Sequence, residues 1–184
     1  MSRRPAGPPP PAIPGPPPRS RLAVYAGSFD PPTRGHLDVV RRATRLFDRV
    51  LVAVGSHPTK KPLFTPDERV TMIRDCLGDL PGVEVVAFQG LMVDLCRERG
   101  AVALIRGLRA NSDFDSEFQM GLANQDLMPG LDTVFLLPDL RYQFISSSLA
   151  REVAQFGGDA SRYLEGGVAA ALVARLKEVQ ARSK

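Results

Sequence analysis

From Leu22 onward the chain alternates short apolar runs with longer segments of helical periodicity. The runs Leu22–Ala26, Val50–Val54, Val83–Phe88, Val102–Ile105 and Thr133–Leu137 are rich in aliphatic residues and bounded by turn formers, which predicts five buried strands. Between them, His36–Phe47 places Leu37, Val40, Thr44 and Phe47 on one helical face. Thr65-Pro66-Asp67-Glu68 forms a capping box with proline at the first helical position, opening a helix that carries Val70 and Ile73. A third helix, Leu91–Arg99, stops at Gly100, and a fourth, Asp113–Leu127, is closed by Met128-Pro129-Gly130. Strand and helix alternate five times, so the expected fold class is α/β: a Rossmann-like, doubly wound, five-stranded parallel sheet with helices on both faces. Two C-terminal helices follow, Ser146–Phe156 and about Val168–Ala181. No internal repeat interrupts this order.

Residues 1–21 break the pattern. They hold nine of the 17 prolines and bury too little apolar surface to fold, so a disordered proline-rich extension is expected before a domain spanning 22–184. The same stretch explains the charge. The net +4 comes from Arg3, Arg4, Arg19 and Arg21, while Leu22 to Lys184 carries 20 bases and 20 acids. A neutral body argues against a broad nucleic-acid surface. No run of about eighteen apolar residues is present to span a membrane, and the N-terminus lacks the apolar core of a signal peptide. Cys76 and Cys96 have neither metal-site spacing nor the density of a secreted scaffold. A cytoplasmic protein is expected.

Ligands of open parallel sheets bind beyond the carboxyl ends of the strands. The first strand is followed by Gly27-Ser28-Phe29-Asp30 and then Thr33-Arg34-Gly35-His36, which opens a helix whose N–H groups attract anions. After the second come His57, Lys60 and Lys61; after the fourth, Arg106-Gly107-Leu108-Arg109; after the fifth, Tyr142-Gln143-Phe144-Ile145-Ser146-Ser147-Ser148. Hydroxyls, arginines, lysines and a histidine thus gather at one sheet edge, a pattern suited to a polyphosphate. Neither GxxxxGK[ST] nor a GxGxxG after the first strand is present, and no Ser-His-Asp order or carboxylate pair suggests a hydrolase.

These motifs, TxGH at Thr33–His36 and the ISSTxxR-like Ile145–Arg151, resemble those of the nucleotidyltransferase superfamily. The long Gly27–His36 stretch, Lys60-Lys61-Pro62 and Ile105-Arg106-Gly107-Leu108-Arg109 are similar to phosphopantetheine adenylyltransferases, over everything but the extension. The chain departs from that family at Ala26, where proline is usual, at Ser28, where some members have threonine, and at Ser116, where tyrosine is common.

The resemblance implies transfer of AMP from ATP to the phosphate of 4′-phosphopantetheine, giving dephospho-coenzyme A and pyrophosphate. It implies that His36 stabilises the transition state, with Lys60 and Arg109 as further catalytic groups. ATP would be held by Ser28, Phe29, His36, Gly107, Leu108, Arg109 and Glu117, and by the segment Tyr142, Gln143, Phe144, Ile145, Ser146, Ser147 and Ser148. Ser28, Lys60, Met92 and Arg106 would hold the acceptor. Mg²⁺ is expected on the ATP phosphates rather than on a protein site. The resemblance further implies a hexamer restrained by coenzyme A. Residue chemistry alone leaves Glu117 as either a nucleoside ligand or a partner for an arginine. The same chemistry on nicotinate mononucleotide or glycerol phosphate is the competing reading. A phosphate monoester, with a second pKa near ~6, is already an anionic nucleophile and needs no general base.

Overall fold

A computed structural model describes residues 20–56, 61–108 and 111–182. Strand β1 (Leu22–Gly27) leads to α1 (Arg34–Ala43), β2 (Arg49–Gly55), α2 (Pro66–Leu77) and β3 (Val83–Phe88). Then follow α3 (Met92–Arg99), β4 (Ala103–Gly107), α4 (Asn111–Leu127), β5 (Asp132–Leu136), α5 (Ser147–Gln155) and α6 (Val168–Arg182). The five strands form one parallel sheet in the order β3-β2-β1-β4-β5. The chain therefore winds outward from β1 in one direction, then crosses back to β4 on its other side. The crevice between the carboxyl ends of β1 and β4 is where such a sheet takes its ligand.

Side chains of a strand alternate between faces, and the core divides accordingly. Ala23 and Tyr25 of β1 join Leu37 and Val40 of α1 and Ile73 of α2 on one face. Leu22 and Val24 face the other way, onto Val93, Leu95 and Cys96 of α3. A third cluster, around Phe64, Ala150, Leu164 and Leu172, docks α5 and α6 against the loop before α2. Each fully buried aliphatic side chain of this kind contributes roughly 1.5–3 kcal/mol.

The expected strands fall within a residue or two of the observed ones. Helix α1 differs more, ending at Ala43 instead of running to Phe47. Thr44 turns its hydroxyl back onto Arg41 O at 2.9 Å, and the following amides bond in tighter turns, Arg45 N to Arg42 O and Leu46 N to Ala43 O. Threonine competes here with the helical ladder. Phe47 still packs on the core, from the turn instead of the helix. At the domain's N-terminal edge Arg21 is bonded to the body: its N–H donates to Asp48 Oδ2 at 2.7 Å, and its carbonyl accepts from Asp48 N and Arg49 N.

Candidate active site

The turn after β1 is folded back on itself. Phe29 has a φ of 48°, rare for a bulky residue, and its ring is 2% exposed. The ring stands edge-on to Tyr25 at 5.3 Å and to His36 at 5.1 Å. Gly27 makes this possible, since a Cβ there would sit 2.9 Å from Phe29 Cζ. Asp30, also buried, ties the turn to the loop before α2: its carboxylate accepts from Leu63 N at 2.8 Å and Phe64 N at 2.9 Å. Arg151 of α5 approaches the same carboxylate at 3.4 Å.

Thr33 caps α1 through a reciprocal pair of bonds. Its hydroxyl accepts from His36 N, while its own N–H donates to His36 Nδ1 at 3.0 Å. That second bond makes Nδ1 an acceptor and assigns the ring proton of neutral histidine to Nε2. Gly35 also lets the chain approach α1 closely: a Cβ there would lie 3.4 Å from Tyr142 O.

At the end of β4, Arg106 forms an ion pair through Nε with Glu117 of α4, and its Nη1 reaches Ala26 O at 3.4 Å. Both side chains are about three-quarters buried. Glu117 thus has the arginine as its partner, one of its two expected roles. At α5, Ser146 is the N-cap, accepting from Leu149 N at 3.0 Å, and Ser147 Oγ donates to Pro31 O at 2.8 Å. The hydroxyl of Ser147 therefore locks α5 onto the β1–α1 turn.

Two adjoining cavities open at these strand ends. The larger, about 590 Å³, is bordered by Phe29, His36, Arg106, Gly107, Glu117 and Ile145. The second, about 450 Å³, is bordered by Asp30, Lys61, Arg69, Ser147, Ser148 and Arg151. Ser28, Gly55 and Ser56 border both. Each volume suits a small ligand.

Many expected site residues thus converge. Met92, Leu108, Tyr142, Gln143, Phe144 and Ser146 do not border either cavity. Met92 packs on the α3 core cluster instead, and Phe144 lies edge-on to Tyr163. Lys60, His57 and Arg109 lie outside the described residues. Sequence reasoning assigned no role to the cavity residues Asp30 and Arg151, although both fall within its motifs, and it did not single out Arg69 at all. Arg69 is 1% exposed, and burial pulls its guanidinium below the ordinary arginine range, with the charge of Asp30 acting the other way. Among the described residues no group of three or more His, Cys, Asp or Glu side chains is placed to hold a metal ion.

The arrangement offers cations, hydroxyls and helix N-termini to an anionic ligand, beside a donor-competent imidazole. Comparison with known proteins agrees. The cytidylyltransferase-like family model matches residues 24–153. The phosphopantetheine adenylyltransferase of Thiobacillus denitrificans is 53% identical over 156 residues, covering 85% of this chain and 98% of that protein. The Heliobacterium modesticaldum protein of the same name is 54% identical, over 81% of this chain and 89% of its own length. A bifunctional NMN adenylyltransferase/ADP ribose pyrophosphatase from Francisella tularensis shares the fold, with a TM-score of 0.65 at 18% identity over 86% of this chain and 50% of that one. The chain accordingly belongs to the phosphopantetheine adenylyltransferase family, within the cytidylyltransferase-like nucleotidyltransferases.

Proposed function

We infer that this enzyme transfers AMP from ATP to 4′-phosphopantetheine in coenzyme A biosynthesis. The observation that carries the reading is the pair of cavities meeting at Ser28, with helix N-termini and arginines around them. Two anionic substrates can be brought together there. An oxygen of the acceptor phosphate attacks the α-phosphorus of ATP, a new P–O–P bond forms, and the bond to the β-phosphate breaks to release pyrophosphate. The barrier is electrostatic, because two anions approach while charge spreads over the α-phosphoryl oxygens.

His36 Nε2–H, set by the Thr33 bond, is assigned to an α-phosphoryl oxygen. Ser147, Ser148 and the α5 N-terminus, with Arg109, are assigned to the ATP phosphates, and Gly107 to close backbone approach. Arg106, steadied by Glu117, and Lys60 are assigned to the acceptor phosphate. Mg²⁺ is assigned to the ATP phosphates, where it offsets their charge.

Assembly into hexamers is proposed as well. Along α4, Phe114, Phe118 and Leu122 form an exposed apolar stripe at i, i+4 and i+8, beside edge strand β5. Phe114 stacks on Phe118 and leans on Phe135 of β5, a surface suited to a second copy of the chain. No described helix is long and apolar enough to cross a membrane, and a cytoplasmic enzyme restrained by coenzyme A is proposed.

The test is a pyrophosphate-release assay with ATP and a panel of phosphopantetheine, nicotinate mononucleotide and glycerol phosphate. Release with phosphopantetheine alone is expected; preference for another acceptor would overturn the substrate assignment.

A further inference from the structure

Arg69 is the most completely enclosed charge in the described chain, and it is spent on backbone carbonyls. From α2 its Nη1 donates to Ser28 O at 2.5 Å and to Gly55 O at 3.0 Å, and its Nε donates to Thr65 O at 3.3 Å. It forms no direct ion pair among the described residues, while Asp30 supplies the nearby negative charge. Enclosing a guanidinium this deeply is costly, and hydrogen bonds to carbonyls only partly offset the loss of water.

What Arg69 grips is informative. Ser28 O and Gly55 O lie at the carboxyl ends of β1 and β2, where the parallel ladder runs out. The Ser28–Phe29 peptide belongs to the turn in which Phe29 holds a positive φ, a conformation that persists only when its surroundings enforce it. This peptide is trans, so its C=O and N–H point in opposite directions. Arg69 borders the second cavity and Phe29 the first. A carbonyl drawn toward α2 therefore sends the N–H of Phe29 away from it.

We propose that Arg69 is a positioning residue: by holding the Ser28 carbonyl, it aims the Phe29 N–H into the first cavity as a donor to an ATP phosphoryl oxygen. The inference rests on the adenylyl-transfer reading above. Such a donor, fixed before the substrate arrives, needs no reorganisation during transfer. Arg69 touches no reacting atom; its effect passes through the peptide plane.

The sequence allows this one peptide to be observed, because Ser28-Phe29 is its only Ser-Phe step. Full-length protein carrying ¹³C at serine carbonyls and ¹⁵N at phenylalanine yields a single carbonyl-filtered amide signal. In the wild type, saturating ATP is expected to move that amide proton. In Arg69→Lys, which keeps the charge but not the fork, the shift is expected to fall by at least half. Turnover should then drop about 10–100-fold, the scale of a small misplacement. The Michaelis constant for phosphopantetheine should change less than about threefold. A purely structural role would leave the ATP-induced shift intact in any folded variant. Wild-type turnover in Arg69→Lys, or a wild-type signal that ATP leaves unmoved, overturns the proposal; the second reading needs no variant to fold. If the wild type released no pyrophosphate, the reaction assignment would fail, yet the amide signal would still decide whether ATP meets this peptide.

Discussion

Thr33 N–H donates to His36 Nδ1 at 3.0 Å, so one bond both caps α1 and selects the imidazole tautomer. Replacing His36 is therefore expected to have two separable effects. His36→Ala removes a transition-state donor, costing roughly 3–4 kcal/mol, or about 10²–10³-fold in turnover, with a smaller effect on the Michaelis constant for ATP. It also removes the half of the capping box that accepts from Thr33 N–H, a hydrogen bond contributing about 1 kcal/mol of stability. His36→Gln can rebuild the capping box, so it should regain the stability while turnover remains depressed. Thermal melts and steady-state kinetics on both variants distinguish the two effects. Near-normal turnover in His36→Ala would remove the histidine from the mechanism.

The ion pair between Arg106 and Glu117 makes a different forecast. Arg106 faces a standing charge on the acceptor, so Arg106→Ala should chiefly raise the Michaelis constant for phosphopantetheine. Glu117→Gln should move the same constant in the same direction, because the arginine loses its anchor. A double-mutant cycle should show the two changes to be less than additive. An effect of Arg106→Ala on ATP alone would contradict the assignment.

Two carboxylates outside the cavities set an acid limit. Glu68 is held below the ordinary range, first by its hydrogen bond from Arg175 and then by Thr65 N. Asp139 is held at about 2, chiefly by Arg141. A depressed carboxylate stabilises the fold above its unfolded value, about 4, and that contribution is lost as pH falls through the folded value. Urea midpoints should therefore drop between about pH 4 and 2. Glu68→Gln and Asp139→Asn should flatten part of that drop; an unchanged pH profile in both would show that the pairs add nothing.

Truncations locate where the domain begins. Removing residues 1–19 is expected to leave turnover and melting unchanged. Extending the deletion through Arg21 removes three hydrogen bonds to the Asp48–Arg49 turn, and should cost roughly 1–3 kcal/mol. Loss of activity in the shorter deletion would give the proline-rich stretch a functional role.

Strands were legible because buried parallel strands are nearly continuous aliphatic runs, as in Val50–Val54. The start of α2 was legible because a capping box announced it at Thr65, whereas α1 begins at Arg34 behind the Thr33 cap, two residues before the expected His36. Strand order was not legible, because local periodicity carries no record of which neighbour a strand chooses. The TxGH and serine motifs pointed to the sheet edge where the cavities open, and there Gly35 both borders the larger cavity and accommodates Tyr142 O. Arg69 escaped notice for a physical reason. It adjoins the buried pair Val70 and Ile73, but a charge on a helix ordinarily faces water, and only the carbonyls of Ser28 and Gly55 reveal why this one does not.

The central position of β1 has a consequence for how the protein acquires function. Its two flanking partners, β2 and β4, are separated by some fifty residues of chain, so the crevice closes only after long-range pairing on both sides. Such non-local assembly is slow, and a half-made sheet has no crevice for nucleotide. Nucleotide therefore recognises the completed fold alone. By mass action, ATP at a hundred times its dissociation constant would deepen the native basin by about 2.7 kcal/mol, making the substrate a guardian of the nascent enzyme as well as its feedstock.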